Sequence, residues 1–108
     1  MKVTLQREAR YDLEDAAVWY EGKVRGLGGE FLREVENSFD RIAEFPESYP
    51  VVHKKLRRYV LGRFPFCIFY MVANERIDVV AVLHATANRV IGKHVDRPTQ
   101  SRLARPIP

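Results

Sequence analysis

Two apolar runs in the second half of the chain restrict the possible folds more than any other feature. Ile68–Val72 and Val79–Leu83 are apolar at consecutive positions, whereas a strand with one solvated face would alternate. The Asn74-Glu75 pair between them indicates a hairpin, because asparagine tolerates the left-handed backbone of a tight turn. We therefore expect two paired strands that are apolar on both faces. The rest of the molecule, or a partner, must cover those faces.

The first half of the chain has the periodicity of two helices. The first apolar stripe consists of Ala9, Leu13, Ala16, Ala17, Tyr20 and Val24. The second consists of Leu32, Val35, Phe39, Ile42 and Ala43, and Pro46 ends it. Glycines between residues 22 and 29 predict a short turn, so the two helices form an antiparallel hairpin. Before them, Val3 and Leu5 alternate with polar residues and predict a short strand.

These elements predict an α+β fold with the order β-α-α-β-β-β. The last three strands form a meander that begins with Leu56–Phe64, so the first strand can join the sheet only at an edge. The helical hairpin is expected on one face of a small, mainly antiparallel four-stranded sheet. Residues 1–96 are expected to form one domain. Residues 97–108, which include three prolines and three arginines, are expected to form an extended or disordered basic tail.

Charge is distributed unevenly along the chain. The net charge is +4, but seven basic and eleven acidic residues lie in residues 1–50, against eleven basic and three acidic residues in 51–108. A basic half of this strength favours an anionic partner, either a nucleic acid or an acidic protein segment. The single cysteine excludes an internal disulfide, and neither a metal-ligand cluster nor a membrane-spanning stretch is present. We expect a cytoplasmic protein with no metal or cofactor.

Five segments of this chain, in this order, resemble the ParE/RelE toxin superfamily of bacterial type II toxin–antitoxin modules. They are Ala9–Tyr20, Gly26–Glu36, Phe45–Val52, Leu56–Val72 and Val80–Arg89, within a resemblance that extends over about residues 1–95. The resemblance implies a growth-inhibiting toxin that a cognate antitoxin neutralises in a heterodimer or higher hetero-oligomer. The antitoxin of such a pair wraps the toxin with a C-terminal segment, which would cover the surplus apolar sheet face.

The superfamily includes two mechanisms, and the chain departs from one of them. RelE-like members cut mRNA in the ribosome with basic side chains and often a C-terminal tyrosine. Where the resemblance places two arginines, this chain has Phe66-Cys67 and Ala85–Ala87, and no tyrosine follows Tyr70. The Leu83-His84 ending is instead similar to that of ParE-like plasmid-stabilisation members, which inhibit DNA gyrase. A gyrase inhibitor without a nuclease site is therefore expected, with a ribosome-dependent mRNA endoribonuclease as the alternative.

Candidate site residues follow from these two mechanisms. For the endoribonuclease, His84 and Arg89 are the catalytic candidates, although a strand-end histidine bonded to a nearby backbone group fits the same pattern. For partner binding, the candidates are Arg57, Arg58, Arg63, Cys67 and Phe69.

The three arginines are expected on one strand, with Arg57 and Arg63 on one face and Arg58 on the other. Charges that protect an edge strand would give the same pattern. A basic nucleic-acid-binding module is a third possibility, but the exposed aromatic pairs of a single-strand platform are missing.

Overall fold

The computed structural model describes residues 1–86, in which two helices pack on one face of a five-stranded sheet. The strands are β1 (Lys2–Leu5), β2 (Val51–His53), β3 (Leu56–Val60), β4 (Phe66–Ala73) and β5 (Arg76–His84), and the helices are α1 (Arg7–Lys23) and α2 (Leu27–Glu44). The sheet order is β1-β5-β4-β3-β2, with β1 parallel to β5 and every other neighbouring pair antiparallel. The predicted α+β class is confirmed, and β1 joins at an edge as expected.

The prediction of four strands is wrong by one, because it omitted β2. This strand has three residues between Pro50 and two lysines, too few to show an alternating pattern. It forms because β3 offers it an antiparallel partner, and the Arg58 N–H donates to the Pro50 carbonyl at 3.0 Å. The sheet therefore ends in a short strand and not in β3.

The β4–β5 hairpin has the turn that the sequence predicts. Asn74 and Glu75 have φ values of 53° and 60°, so both central residues of the turn are left-handed. That geometry matches the twist of the two strands it joins. The hairpin brings the two apolar runs into register, with Ile68 opposite Val82.

The helical stripes differ from the predicted ones at their ends. Val24 lies at the C-cap of α1 and is exposed. In α2 the prediction placed Leu32 on the buried stripe, but Leu32 is 39% exposed and Phe31 is fully buried. The buried positions of α2 are Gly28, Phe31, Val35, Ser38 and Ile42. Val35 and Ile42 are common to both sets, and Phe39 and Ala43 pack against the core as partly buried residues, whereas a hydrophobicity count cannot find Gly28 and Ser38.

A close contact between the helices explains one of the glycines in this region, Gly28. Gly28 lies inside α2, and a Cβ at this position would collide with the carbonyl oxygen of Ala17 in α1. The Glu21 carboxylate accepts hydrogen bonds from the Gly26 and Gly28 N–H groups at 2.8 and 2.9 Å. It thereby satisfies two of the donors that a helix N-terminus leaves without intrahelical partners.

The sheet has two apolar faces of different character. The helix-covered face carries the main core, which includes Phe66, Ile68 and Tyr70 of β4. The opposite side, here called the second face, is defined by Leu56, Arg58, Val60, Cys67, Phe69, Met71, Val80, Ala81 and Leu83. Val80 is an extra residue in the ladder, since Tyr70 pairs with Val79 and Phe69 with Ala81. The buried Asp12 of α1 accepts the Val82 N–H at 3.0 Å next to this bulge.

Candidate functional site

Three of the five predicted partner-binding residues lie together on the second face. Arg58 on β3 is directly opposite Phe69 on β4, and Cys67 is two residues from Phe69 on the same side of the strand. Burial raises the pKa of the Cys67 thiol, and the charge of Arg58 acts in the opposite direction. The thiol therefore stays protonated at neutral pH, as an apolar contact surface requires.

The residues of the second face differ in accessibility. Val80, Ala81 and Leu83 on β5 are at most 2% exposed. Phe69 on β4 is half-buried and is packed against this cluster, while Val60 on β3 is 58% exposed. Leu56 and Cys67 are buried as well, so the accessible part of the second face is an apolar strip of Val60, Phe69 and Met71 beside the exposed Arg58.

Arg57 has a different environment from its neighbour. Its Nη1 donates to the carbonyl oxygens of Glu47 and Tyr49 at 3.1 and 2.7 Å. The Tyr70 hydroxyl donates to the carbonyl of Pro46 at 2.6 Å, and burial raises the pKa of this phenol to about 12. The bonds from Arg57 and from Tyr70 both hold the α2–β2 loop against the sheet. For Arg57, the sequence predicted the side of the strand correctly, but not that the chain itself engages the guanidinium.

Arg63 does not share a strand with the other two arginines, contrary to the prediction. β3 ends at Val60, and Arg63 lies in the β3–β4 loop. Its Nη2 forms a 2.8 Å ion pair with Glu30 of α2. One turn further along α2, the Glu34 carboxylate accepts the N–H groups of Gly62 and Arg63 at 2.8 and 3.0 Å.

The same groups border a shallow, open depression. Its volume is about 290 Å³, and its walls are Glu30, Arg33, Glu34, Asn37 and Arg63. Acidic and basic side chains alternate around it, so its charge selects for neither sign of ligand.

Phe66 and Cys67, where the resemblance to RelE-like members places an arginine, are both buried. Phe66 is fully buried, and its ring lies 5.4 Å from the His84 ring. The Thr86 N–H donates to His84 Nδ1 at 3.1 Å, so a neutral imidazole carries its proton on Nε2. His84 is itself buried, and its bonds with Thr86 stabilise the turn that follows β5. Arg89 lies outside the described residues.

Residues 1–86 contain no group of three or more His, Cys, Asp or Glu side chains that could hold a metal ion. Neither helix in this range is long and apolar enough to cross a membrane.

Several contributors to the exposed surface were missed from the sequence. Val60 and Met71 belong to the second face because they alternate with Tyr59 and Tyr70, which face the helices. This alternation is visible in the sequence and could have identified both. Val51 and Val52 on β2 carried no comparable signal, because so short a strand shows no pattern.

Comparisons with known proteins match the sequence to one family and the fold to a solved structure. Residues 3–89 match the model of the ParE toxin of the type II toxin–antitoxin system parDE. Among solved structures, the chain is similar to a chromosomal ParDE toxin–antitoxin system from P. aeruginosa, with 19% identity and a TM-score of 0.57. That match covers 78% of this chain and 95% of the other. No curated protein gives a significant match.

Proposed function

Because the chain belongs to the ParE family of toxins of type II toxin–antitoxin systems, we propose that it inhibits growth by binding DNA gyrase, without cutting RNA. Family membership over residues 3–89 makes it a type II toxin and implies a cognate antitoxin as its partner. The identity of the target, DNA gyrase, is what we propose here. Gyrase works on DNA in the cytoplasm, so the toxin would act there.

The observation that carries the proposal is the apolar corner formed by β4 and β5. A nuclease needs donors positioned where negative charge develops, and each such donor typically contributes about 10²–10³ in rate. Here Phe66 and Cys67 are buried, and the Ala85 N–H is engaged by the Pro65 carbonyl at 2.7 Å. Arg63, the described arginine in the adjoining loop, is ion-paired with Glu30. These contacts support a toxin that acts by binding.

The endoribonuclease remains the alternative because His84 lies at the end of an interior strand, where its imidazole could act as a general acid or base. For that role, its ring would have to leave its buried position beside Phe66 and give up the bond from Thr86. The alternative therefore requires a rearrangement of this corner, whereas the gyrase proposal does not.

We further propose that the antitoxin binds the second face. An apolar strip bordered by a cation that forms no ion pair within residues 1–86 suits a segment that is apolar on one side and acidic on the other. Arg58, Cys67 and Phe69 meet there. Arg57 and Arg63 are engaged by groups of the chain itself, so we restrict the proposed surface to the first three residues.

Two assays with purified components test the proposed target. Gyrase supercoiling of relaxed plasmid should be inhibited by the toxin and restored by an excess of antitoxin. Toe-printing on translating ribosomes should show no cuts in the message. Codon-specific cuts that disappear in His84→Ala or Arg89→Ala, together with unaffected supercoiling, would contradict the proposal and establish the endoribonuclease.

A further inference from the structure

The edge strand β2 combines an open backbone with exposed apolar side chains. β3 pairs with it on one side, and no strand within residues 1–86 pairs with it on the other. Val51 and Val52 are 49% and 40% exposed, and as consecutive strand residues they point to opposite faces. An edge of this kind can template the addition of another strand.

The surroundings of this edge are strongly basic. Lys54 and Lys55 follow β2 directly, both are exposed, and neither is in an ion pair within residues 1–86. Between Glu47 and Glu75 the chain has five basic residues and no acidic residue. We call Val51, Val52, Lys54 and Lys55 the β2-edge surface.

The charge and the strand geometry of the β2-edge surface distinguish between three possible binding partners. A second copy of the chain pairing edge to edge would place two segments side by side that each have five basic residues and no acidic residue between Glu47 and Glu75, so net charge disfavours it. Nucleic acid would account for the lysines, but not for an open strand edge or two exposed valines. An acidic, extended polypeptide uses all three features: backbone bonds to the edge, apolar contacts with the valines and ion pairs with the lysines.

We propose that the β2-edge surface binds an acidic polypeptide segment of a partner protein by strand addition. The lysines that protect this edge from self-association thus favour the acidic partner. The surface does not include Arg58, Cys67 or Phe69, so the proposal stands apart from the antitoxin surface and from the choice of target.

A synthetic peptide of alternating glutamate and valine serves as the probe, with fluorescence anisotropy at low and physiological salt as the measurement. The peptide should bind and should slow hydrogen exchange at the β2 amides. The same peptide with every backbone nitrogen methylated keeps its charge but cannot donate hydrogen bonds. It should bind at least about tenfold more weakly, since about 1.4 kcal/mol corresponds to that factor.

Charge reversal tests the role of the lysines. The double variant Lys54→Glu/Lys55→Glu should also weaken binding at least about tenfold. The matched control is the double variant Arg7→Glu/Arg10→Glu, which reverses two exposed cations at the start of α1, where acidic residues are well tolerated. It should leave the affinity within about twofold, a difference of under about 0.5 kcal/mol.

Three results would overturn the proposal. The first is no binding of the unmodified peptide at either salt concentration. The second is equal binding of the methylated peptide, which would show that charge alone accounts for the affinity. A short duplex DNA that binds more tightly than the peptide, and loses binding in the double lysine variant, would assign the surface to nucleic acid.

Discussion

Arg57 and Arg58 are adjacent on β3, yet their side chains face opposite sides of the sheet and have different partners. Arg57 donates to two carbonyls of the α2–β2 loop, while Arg58 stands exposed beside Phe69 and Cys67. The alternation of a strand predicts this separation from the sequence. The carbonyl partners of Arg57 could not be predicted, because they depend on how the loop from Phe45 to Pro50 folds back onto the sheet.

The first prediction concerns Arg58. Arg58→Glu should lower the association rate with the cognate antitoxin by roughly tenfold and flatten its salt dependence, because an exposed charge acts mainly by steering the encounter. Stopped-flow measurements over a range of salt concentrations provide the test. Arg10→Glu changes the charge equally at an exposed position of α1 and should alter the rate much less.

Phe69→Ser supplies the complementary test on the same surface. Loss of a half-buried aromatic anchor should chiefly speed dissociation, provided that circular dichroism shows a folded variant. Unchanged rates for both Arg58→Glu and Phe69→Ser would show that the antitoxin binds elsewhere. Protection from hydrogen exchange confined to the helices would lead to the same conclusion.

At the scale of elements, two adjacent glycines of the helical hairpin look equivalent in the sequence but have different surroundings. Gly28 lies against the Ala17 carbonyl of α1, whereas a Cβ at Gly29 would meet nothing within 4 Å. The sequence predicted a turn here, because glycines usually mark turns. Both residues lie inside α2, so close packing explains Gly28 better than backbone flexibility does.

The second prediction uses this pair as matched variants. Gly28→Ala should lower the free energy of unfolding by about 1–3 kcal/mol, since the helices must separate to admit the methyl group. Gly29→Ala should raise it by up to about 1 kcal/mol, because alanine is the better helix former. Urea denaturation measures both. Equal effects of the two substitutions would contradict the close helix contact.

The strands show where prediction from this sequence succeeds and where it fails. β4 and β5 were identifiable because eight- and nine-residue strands leave a long apolar signal with an Asn-Glu turn between them. β2 was missed because its three residues belong to the sheet only through β3. The surplus of apolar residues on the second face was predictable, but its graded burial depends on the bulge at Val80 and on tertiary packing.

At the scale of the whole molecule, charge and architecture coincide. The acidic first half of the sequence includes both helices, and the basic second half supplies four of the five strands. The helix-covered face is thus shielded by acidic elements. The cations Arg58, Lys54 and Lys55, which form no ion pair in the described part of the chain, lie at the opposite end of the sheet from β1. Such a distribution orients an approaching acidic partner towards β2 and β3.

The third prediction concerns the basic tail, which lies outside the described residues. Truncation after Asp96 should change the free energy of unfolding by less than about 1 kcal/mol, because residues 97–108 have no apolar periodicity with which to dock. Thermal unfolding of the full-length and truncated chains is the measurement. A loss of several kcal/mol would show that Leu103 or Ile107 is packed against the domain.

The central claim is that this ParE-family toxin acts on gyrase and performs no RNA chemistry. The most direct test is plasmid topology on chloroquine gels after the toxin is induced in growing cells, with co-expressed antitoxin as the control. If the toxin inhibits gyrase, negative supercoiling should be lost as soon as growth stops, and the antitoxin should prevent that loss. Growth arrest with unchanged plasmid topology would contradict the claim.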